Sequence, residues 1–132
     1  WRGTVVDLPG AMVRAMTAQF GSDPADLVAG IGPCIGPCCY EVGEEVIAAV
    51  EATFAEPDTL FRPLTGDDRL TAAGHRFFDM PQANQVNLAN AGVRNIETSG
   101  LCTACRTDLF FSHRAEKGRT GRFGTVFALG CD

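Results

Sequence analysis

The segment that most constrains the fold is Gly32–Glu41, which reads GPCIGPCCYE. Pro33 and Pro37 fix φ and lack a backbone N–H, so neither a helix nor a central strand can run through this segment. The short apolar run Leu27–Ile31 before it is typical of a buried strand, and a helical stripe follows it to about Phe54. The sequence therefore predicts a rigid loop between a strand and a helix, a place where binding groups are common.

Apolar periodicity predicts two further helices. Leu8–Phe20 repeats apolar residues at helical spacing, with Asp7 as N-cap and Gly21 as stop. Asp79 opens a later helix that Gly92 ends.

Strands are predicted at Asn95–Thr98 and Phe123–Leu129, and Glu56–Arg69 is predicted to be a long loop. Alternating strands and helices favour an α/β layered fold. We expect one domain over residues 1–132, since no linker or repeat interrupts the chain.

The charge balance limits the classes of partner. Sixteen acidic residues against eleven basic ones give a net charge of −5, which argues against general nucleic-acid binding. A pocket for a small anion needs only one or two arginines. No apolar run of 18 residues predicts a membrane span.

The chain starts at Trp1, with neither an initiator Met nor a signal peptide. We therefore expect a fragment of a longer protein, located in the cytoplasm.

The segment Trp1–Thr4 places Arg2 and Gly3 ahead of a helix. Exposed backbone N–H groups and a guanidinium can together hold an oxyanion. The alternative is an ordinary strand-to-helix turn with a solvated Arg.

Six cysteines suggest buried thiols, a metal site or, less readily without a secretory signal, disulfides. Cys102 and Cys105 form a CxxC pair that can complete a four-thiolate zinc site with Cys34/Cys38 or with Cys38/Cys39. Cys34 can also be a nucleophile, for which His75 and His113 are the available imidazole bases, or simply a buried small residue.

The C-terminal third is locally basic. Arg114, Arg119 and Arg122 lie within nine positions and can either be solvated or clamp a phosphate. His113 can be a catalytic base or an ordinary surface residue.

In this order, these segments resemble the YfiH family, also called laccase-domain or multicopper polyphenol oxidase proteins. The resemblance is carried by Trp1-Arg2-Gly3, IGPCIGPCCYEVGEEV at Ile31–Val46, the helix from Asp79 to Gly92, Cys102-Thr103-Ala104-Cys105, Asp108-Leu109-Phe110-Phe111-Ser112-His113-Arg114 and Thr120-Gly121-Arg122.

The resemblance implies a layered α/β fold with two mixed sheets flanked by helices, of which this chain supplies roughly the C-terminal half. It implies phosphorolysis of adenosine, inosine and methylthioadenosine, with adenosine deaminase activity. It also implies a catalytic zinc or copper ion held by two His and one Cys, all upstream of Trp1, so that a segment ending in His-Ala-Gly is expected there. No cysteine of the motifs matches the family's ligand, and we assign neither a metal ligand nor a catalytic residue to this chain.

The resemblance further implies that this chain forms a wall of the site for purine nucleosides and phosphate. The residues expected to contact them are Arg2, Gly3, Gly32, Pro33, Cys34, Ile35, Gly36, Arg114 and Arg122. No nucleic acid or membrane is expected as a partner, whereas unpaired strand edges would favour association of copies.

Two other functions are weighed against this one. A copper-dependent polyphenol oxidase needs many imidazole ligands, and the two histidines are not spaced as a ligand pair. A non-enzymatic module would use Cys34, Cys38, Cys102 and Cys105 to hold structural zinc.

Overall fold

A computed structural model describes residues 1–62, 74–126 and 128. The helices and strands of these residues follow one another as α1 (Arg2–Val5), α2 (Leu8–Phe20), β1 (Val28–Ile31), β2 (Glu41–Val42), α3 (Glu44–Thr53), β3 (Phe61–Arg62), β4 (Arg76–Phe78), α4 (Met80–Asn90) and β5 (Asn95–Thr98). Within the same residues, every helix is too short or too polar to cross a membrane.

The strands form two small sheets of different type. β1 and β5 pair in parallel, with Val28 opposite Asn95 and Ile31 opposite Thr98. β4 lies between β2 and β3 and is antiparallel to both. Parallel and antiparallel sheets packed with helices confirm the predicted α/β class.

Side-chain caps define the ends of the predicted helices. The carboxylate of Asp7 accepts the backbone N–H of Gly10 at 3.0 Å, and Gly21, with φ 69°, ends α2 in the left-handed region. The carboxylate of Asp79 accepts the N–H of Gln82 at 3.0 Å at the start of α4. The predicted bounds of α2 are therefore confirmed, and α4 ends two residues before Gly92.

The core lies between α3, α4 and the antiparallel sheet. Phe78 of β4 is fully buried at its centre, 5.7 Å from Phe61 and 6.1 Å from Tyr40 between ring centroids. The predicted apolar stripe of α3 is confirmed, since it packs Val46 and Val50 into this core. The buried apolar residues of the cluster are Val42, Val46, Val50, Phe54, Leu60, Phe61, Phe78 and Ala83.

The apolar stripe of α2 does not face this core. Leu8, Met12 and Phe20 are 59%, 60% and 80% exposed, whereas Gly10 and Val13 are buried. The reason is that α2 packs on α1 and α4 through its Gly10–Val13 side.

The prediction that Leu27–Ile31 is a buried strand is half correct. β1 forms at Val28–Ile31, but Val28 is 63% exposed. The two-stranded sheet contacts α4, and one helix can cover only one face of a sheet.

Three other sequence predictions need correction. Arg2–Val5 forms one helical turn instead of a strand-to-helix turn. Part of the predicted loop Glu56–Arg69 is ordered into a 3₁₀ turn at Pro57–Leu60 followed by β3, and positions 63–69 lie outside the described residues.

The strand predicted at Phe123–Leu129 is wrong for residues 123–126, which have no regular structure. A strand needs a neighbour for its backbone hydrogen bonds, and in the part of the chain that the structure describes no segment pairs with these residues. Positions 127 and 129 lie outside the described residues.

Candidate functional site

Four segments that are distant in sequence meet around a cleft of about 340 Å³. Trp1, the loop between β1 and β2, the first residue of α4 and the segment after β5 each contribute to its walls. Its lining residues are Trp1, Ile35, Tyr40, Met80, Thr103, Phe111, Ser112, His113 and Arg114. A volume of this size is within the range of small-molecule sites, and the mixture of aromatic, hydroxyl and cationic side chains suits a ligand with both a ring and an anionic group.

Arg114 is the cation of this cleft. Its Nη1 donates a 2.8 Å hydrogen bond to the backbone carbonyl of Glu41, and its guanidinium carbon lies 5.3 Å from the centroid of the Tyr40 ring. Burial raises the pKa of Tyr40, and the charges of Arg114 and Arg2 offset only part of that rise. The hydroxyl of Tyr40 is therefore neutral at physiological pH. The hydrogen bond to the Glu41 carbonyl holds the guanidinium of Arg114 in place before any ligand arrives.

The loop that carries His113 and Arg114 is tied together by Glu116. Its carboxylate accepts the backbone N–H of Ser112 at 2.7 Å and the hydroxyl of Thr120 at 2.5 Å. The Thr120 hydroxyl, together with the Ser112 N–H, lowers the pKa of Glu116, so the carboxylate is charged. The loop then turns back where Gly118, with φ 81°, donates its N–H to the carbonyl of His113 at 2.8 Å.

The predicted site residues do not all reach this cleft. Ile35 and Arg114 line it, whereas Gly32, Cys34 and Gly36 line a second cleft of about 250 Å³. That second cleft is bounded by Asp79, Pro81, the end of β5 and the following residues Ser99, Gly100, Leu101 and Cys102. The loop Gly32–Gly36 thus lies between the two clefts. Ile35 lines the first cleft, and Gly32, Cys34 and Gly36 line the second.

The other predicted residues lie farther out. Gly3 lines a separate surface with Trp1 and Leu8. Arg2 is exposed, with its guanidinium 4.8 Å from the Trp1 ring centroid and 3.9 Å from the carboxylate of Glu45.

Pro33 is half-buried beside Cys34. Arg122 is exposed, and its Nη1 donates to the carbonyl of the adjacent Gly121 at 2.9 Å. Of the two arginines predicted to contact phosphate, Arg114 is therefore better placed than Arg122.

Sequence reasoning missed Tyr40, Met80 and Thr103 as lining residues. Each lies within a motif that was recognised, but their meeting depends on long-range contacts. The contact that joins the two loops is an isolated bridge in which Cys34 N–H donates to the Leu101 carbonyl at 3.3 Å and Thr103 N–H donates to the Cys34 carbonyl at 3.0 Å. No periodicity in the sequence signals such a bridge.

The same bridge gathers four thiols. The Sγ atoms of Cys38, Cys39, Cys102 and Cys105 all lie within 4.8 Å of one another. Cys34, which the sequence offered as a member of such a group, is not in it, and Cys39 takes its place. The described cysteines, Cys131 being outside the described residues, are all free thiols, so the group could hold a metal ion.

Hydrogen bonds give these thiols different pKa values. Burial raises the pKa of Cys102, but hydrogen bonds from the backbone N–H groups of Gly36 and Cys105 and from the Cys38 thiol outweigh it and lower that pKa to about 6. Burial and hydrogen bonding to Cys105 raise the pKa of Cys38 and bring that of Cys39 to about 11. The donors from Gly36 and Cys38, which belong to the other loop, thus favour the thiolate form of Cys102.

The catalytic centre of two His and one Cys that the resemblance implies does not fit the described residues. The group with metal-ligand geometry among them consists of four cysteines and contains no imidazole. Nδ1 of His75 lies 2.5 Å from a carboxylate oxygen of Glu41, and His113 lies in the cleft loop. No step of a reaction is therefore assigned to such a centre here.

This geometry defines a class of protein: an α/β chain in which a Gly-Pro loop and a basic C-terminal loop form an open cleft. The family model described as multi-copper polyphenol oxidoreductase laccase matches residues 1–130. The chain belongs to this family, which confirms the resemblance noted in the sequence.

Relatives and solved structures agree with that membership. The chain is 40% identical to the purine nucleoside phosphorylase YlmD of Geobacillus stearothermophilus over 92% of this chain and 43% of the relative. It is 36% identical to the purine nucleoside phosphorylase YlmD of Bacillus subtilis, over 98% of this chain and 45% of the relative.

The crystal structure of the Bacillus licheniformis hypothetical protein YfiH superposes with a TM-score of 0.80 at 37% identity, covering 92% of this chain and 44% of that one. The chain thus spans less than half the length of the proteins that it matches.

Proposed function

We propose that this chain forms part of a purine nucleoside phosphorylase that acts on adenosine, inosine and methylthioadenosine, and that it supplies one wall of the substrate site. The observation that carries the proposal is the match of more than nine-tenths of the chain to two proteins named purine nucleoside phosphorylases, at 40% and 36% identity. Because the chain spans less than half of those relatives, the activity is proposed for the whole protein that contains it.

Phosphorolysis asks the protein mainly to hold two partners in line. The phosphate oxygen forms a bond to the anomeric sugar carbon while the bond from that carbon to the purine nitrogen breaks, and the purine leaves with the electron pair. Positioning and charge stabilisation supply much of the rate in such a reaction. The wall that this chain supplies therefore needs a phosphate clamp and a surface for the flat base.

Arg114 suits the clamp. A planar guanidinium binds two phosphate oxygens at once, and its hydrogen bond to the Glu41 carbonyl leaves other N–H donors free for the ligand. Trp1, Tyr40 and Phe111 line the same cleft and offer aromatic surface to a purine. We place the phosphate beside Arg114 rather than Arg122, since Arg122 lines none of the clefts described above.

The remaining predicted contacts belong to the rim of this site. Ile35 faces the cleft, and Gly32, Pro33, Cys34 and Gly36 shape the loop that carries it. Arg2 and Gly3 lie beside Trp1 and extend the wall at that end of the cleft.

Adenosine deamination, which the resemblance also implies, requires an activated hydroxide that the described residues do not supply. We propose that activity for the intact protein only. Polyphenol oxidation is not favoured, because the described metal-ligand group lacks the imidazoles that copper oxidases use. The free thiols of the described residues suit a reducing compartment, and we infer that the protein acts in the cytoplasm on small molecules.

The test is phosphate-dependent cleavage of adenosine, inosine and methylthioadenosine by the full gene product that contains this chain. Free purine and sugar 1-phosphate should form in equal amounts and require added phosphate. The 132-residue chain alone should be weak or inactive, because the resemblance places the metal ligands outside it. Purine release by the full product that does not depend on phosphate would contradict the proposal, as would full activity in the short chain.

A further inference from the structure

We propose that Cys38, Cys39, Cys102 and Cys105 form a structural zinc site that joins the Gly-Pro loop to the C-terminal segment. The four cysteines are drawn from two loops separated by more than sixty positions, and the distances are 3.5 Å from Cys38 Sγ to Cys105 Sγ and 3.4 Å from Cys39 Sγ to Cys105 Sγ. All four Sγ atoms lie within 4.8 Å of one another.

These distances fit one tetrahedral ion. Zinc–sulfur bonds of about 2.3 Å at tetrahedral angles place the sulfur atoms about 3.8 Å apart. The two shortest separations, at 3.4 and 3.5 Å, have to lengthen by only a few tenths of an ångström, and none of the others starts beyond 4.8 Å. Cys38 and Cys105 are exposed, so little packing opposes a rotation of their side chains that would make this adjustment.

The backbone already holds the two loops at this separation. Thr103 N–H donates to the Cys34 carbonyl at 3.0 Å, and Gly36 N–H donates to Cys102 Sγ at 3.3 Å. Gly36 is buried, and a Cβ built on it would lie 3.5 Å from the Cys102 Cβ and 3.6 Å from the Cys38 Sγ. A backbone donor aimed at a ligand sulfur is the kind of outer-shell contact that orients metal ligands.

The donor set selects the ion and its role. Four thiolates with neither imidazole nor carboxylate are typical of zinc or of iron–sulfur centres, and two loops closing on a single point favour one zinc ion. Four protein ligands leave no coordination position for water or substrate, so the ion would be structural.

Its effect would reach the substrate cleft. Cys39 is next to Tyr40, and Thr103 lies between Cys102 and Cys105, so both lining residues are attached to the site. The ion would thus fix Tyr40 and Thr103, two lining residues from different loops, relative to each other. This inference stands whether or not the proposed reaction is correct, because it concerns metal content and not turnover.

The experiment compares zinc in the purified full-length protein and its single variants. We expect Cys39→Ser and Cys105→Ser to contain one zinc ion less per chain than the parent, and Cys34→Ser, a cysteine of the same loop outside the cluster, to keep it. Reading the difference between variants excludes any other metal that the full protein binds. Far-ultraviolet circular dichroism shows whether each variant is folded.

A second measurement does not depend on the variants folding. Metal-free parent protein is titrated with cobalt(II) under reducing conditions. One equivalent, counted apart from any ion bound by the upstream residues, should give the strong charge-transfer absorption of tetrahedral cobalt with four thiolate ligands, and zinc should abolish it. Equal zinc in all variants, a cobalt spectrum without thiolate charge-transfer bands, iron in place of zinc, or disulfides among these cysteines in protein purified with reductant would each overturn the proposal.

Discussion

The side-chain amide of Asn87 donates a 2.8 Å hydrogen bond to the backbone carbonyl of Thr4, and both residues are buried. The bond ties α4 to the first helical turn across 83 positions of sequence. That turn begins beside Trp1, which lines the candidate cleft. A polar contact in the interior therefore helps to fix the position of Trp1, which also packs against the core cluster.

Replacing Asn87 should loosen this connection. Asn87→Ala removes a buried donor and leaves a cavity, which is expected to lower the free energy of unfolding by about 1–3 kcal/mol. Urea denaturation followed by circular dichroism measures the change. Asn90→Ala, on the exposed face of the same helix, is the matched control and should stay within about 0.5 kcal/mol of the parent. Equal losses in the two variants would show that the bond to Thr4 contributes little.

Phe78 should be one of the most costly core residues to truncate. It is fully buried between Tyr40 and Phe61, and Phe78→Ala is expected to cost about 3–5 kcal/mol of unfolding free energy. Its neighbour Phe77 is only half-buried, on the other face of the same strand, so Phe77→Ala should cost under about 2 kcal/mol. Thermal and chemical unfolding of the two variants test this order, and a reversal would place the core elsewhere.

Much of the fold follows from local signals in the sequence. Asp7, Gly21 and Asp79 mark helix ends because capping depends on residues three or four positions apart, and the structure places them there. The predicted strand at Phe123 fails for residues 123–126 because strand formation also depends on a partner that apolar composition does not reveal. The exposure of Leu8 and Met12 has the same origin, since periodicity identifies a helix face but not what lies against it.

The candidate site was predictable only in part. Arg114 and Ile35 were recognised from motifs, and both line the cleft. The sequence could not predict that Cys39 and not Cys34 belongs to the cluster. The backbone of Cys34 is bridged to the segment at Leu101–Cys102, whereas the thiols of Cys38 and Cys39 lie next to that of Cys105. Spacing restricted the alternatives to two, and tertiary contacts decided between them.

Arg114 should matter for phosphate if the proposed function is correct. In the full gene product, Arg114→Gln removes a charged donor expected to contribute about 1.5–3 kcal/mol, which corresponds to a rise of roughly 10- to 150-fold in the KM for phosphate. Arg114→Lys keeps the charge but loses the planar guanidinium, so its KM for phosphate should lie between those of the parent and of Arg114→Gln. Initial rates at varied phosphate concentration measure this effect.

The matched control is Arg119→Gln, an exposed arginine of the same loop that does not line the cleft. It removes the same charge and should leave the KM for phosphate within about twofold of the parent. Equal effects of the Arg119 and Arg114 variants would indicate general attraction by the basic segment instead of a specific contact.

The order of the loop at Ser112–Thr120 should depend on pH through Glu116. The Thr120 hydroxyl and the Ser112 N–H lower the pKa of this carboxyl in the folded protein relative to the unfolded chain. The folded state therefore binds fewer protons between the two pKa values, and the contribution of Glu116 to stability is complete above the unfolded value of about 4.3 and is lost as pH falls through the lower folded value. Hydrogen exchange of the Ser112 amide should consequently show falling protection, relative to the intrinsic rate, as pH drops through this window. Glu116→Gln should flatten that pH dependence. The control Glu97→Gln, which removes an exposed carboxyl on β5, should leave it unchanged. If the protection of Ser112 changed neither with pH nor with the Glu116 substitution, the carboxylate would not hold the loop.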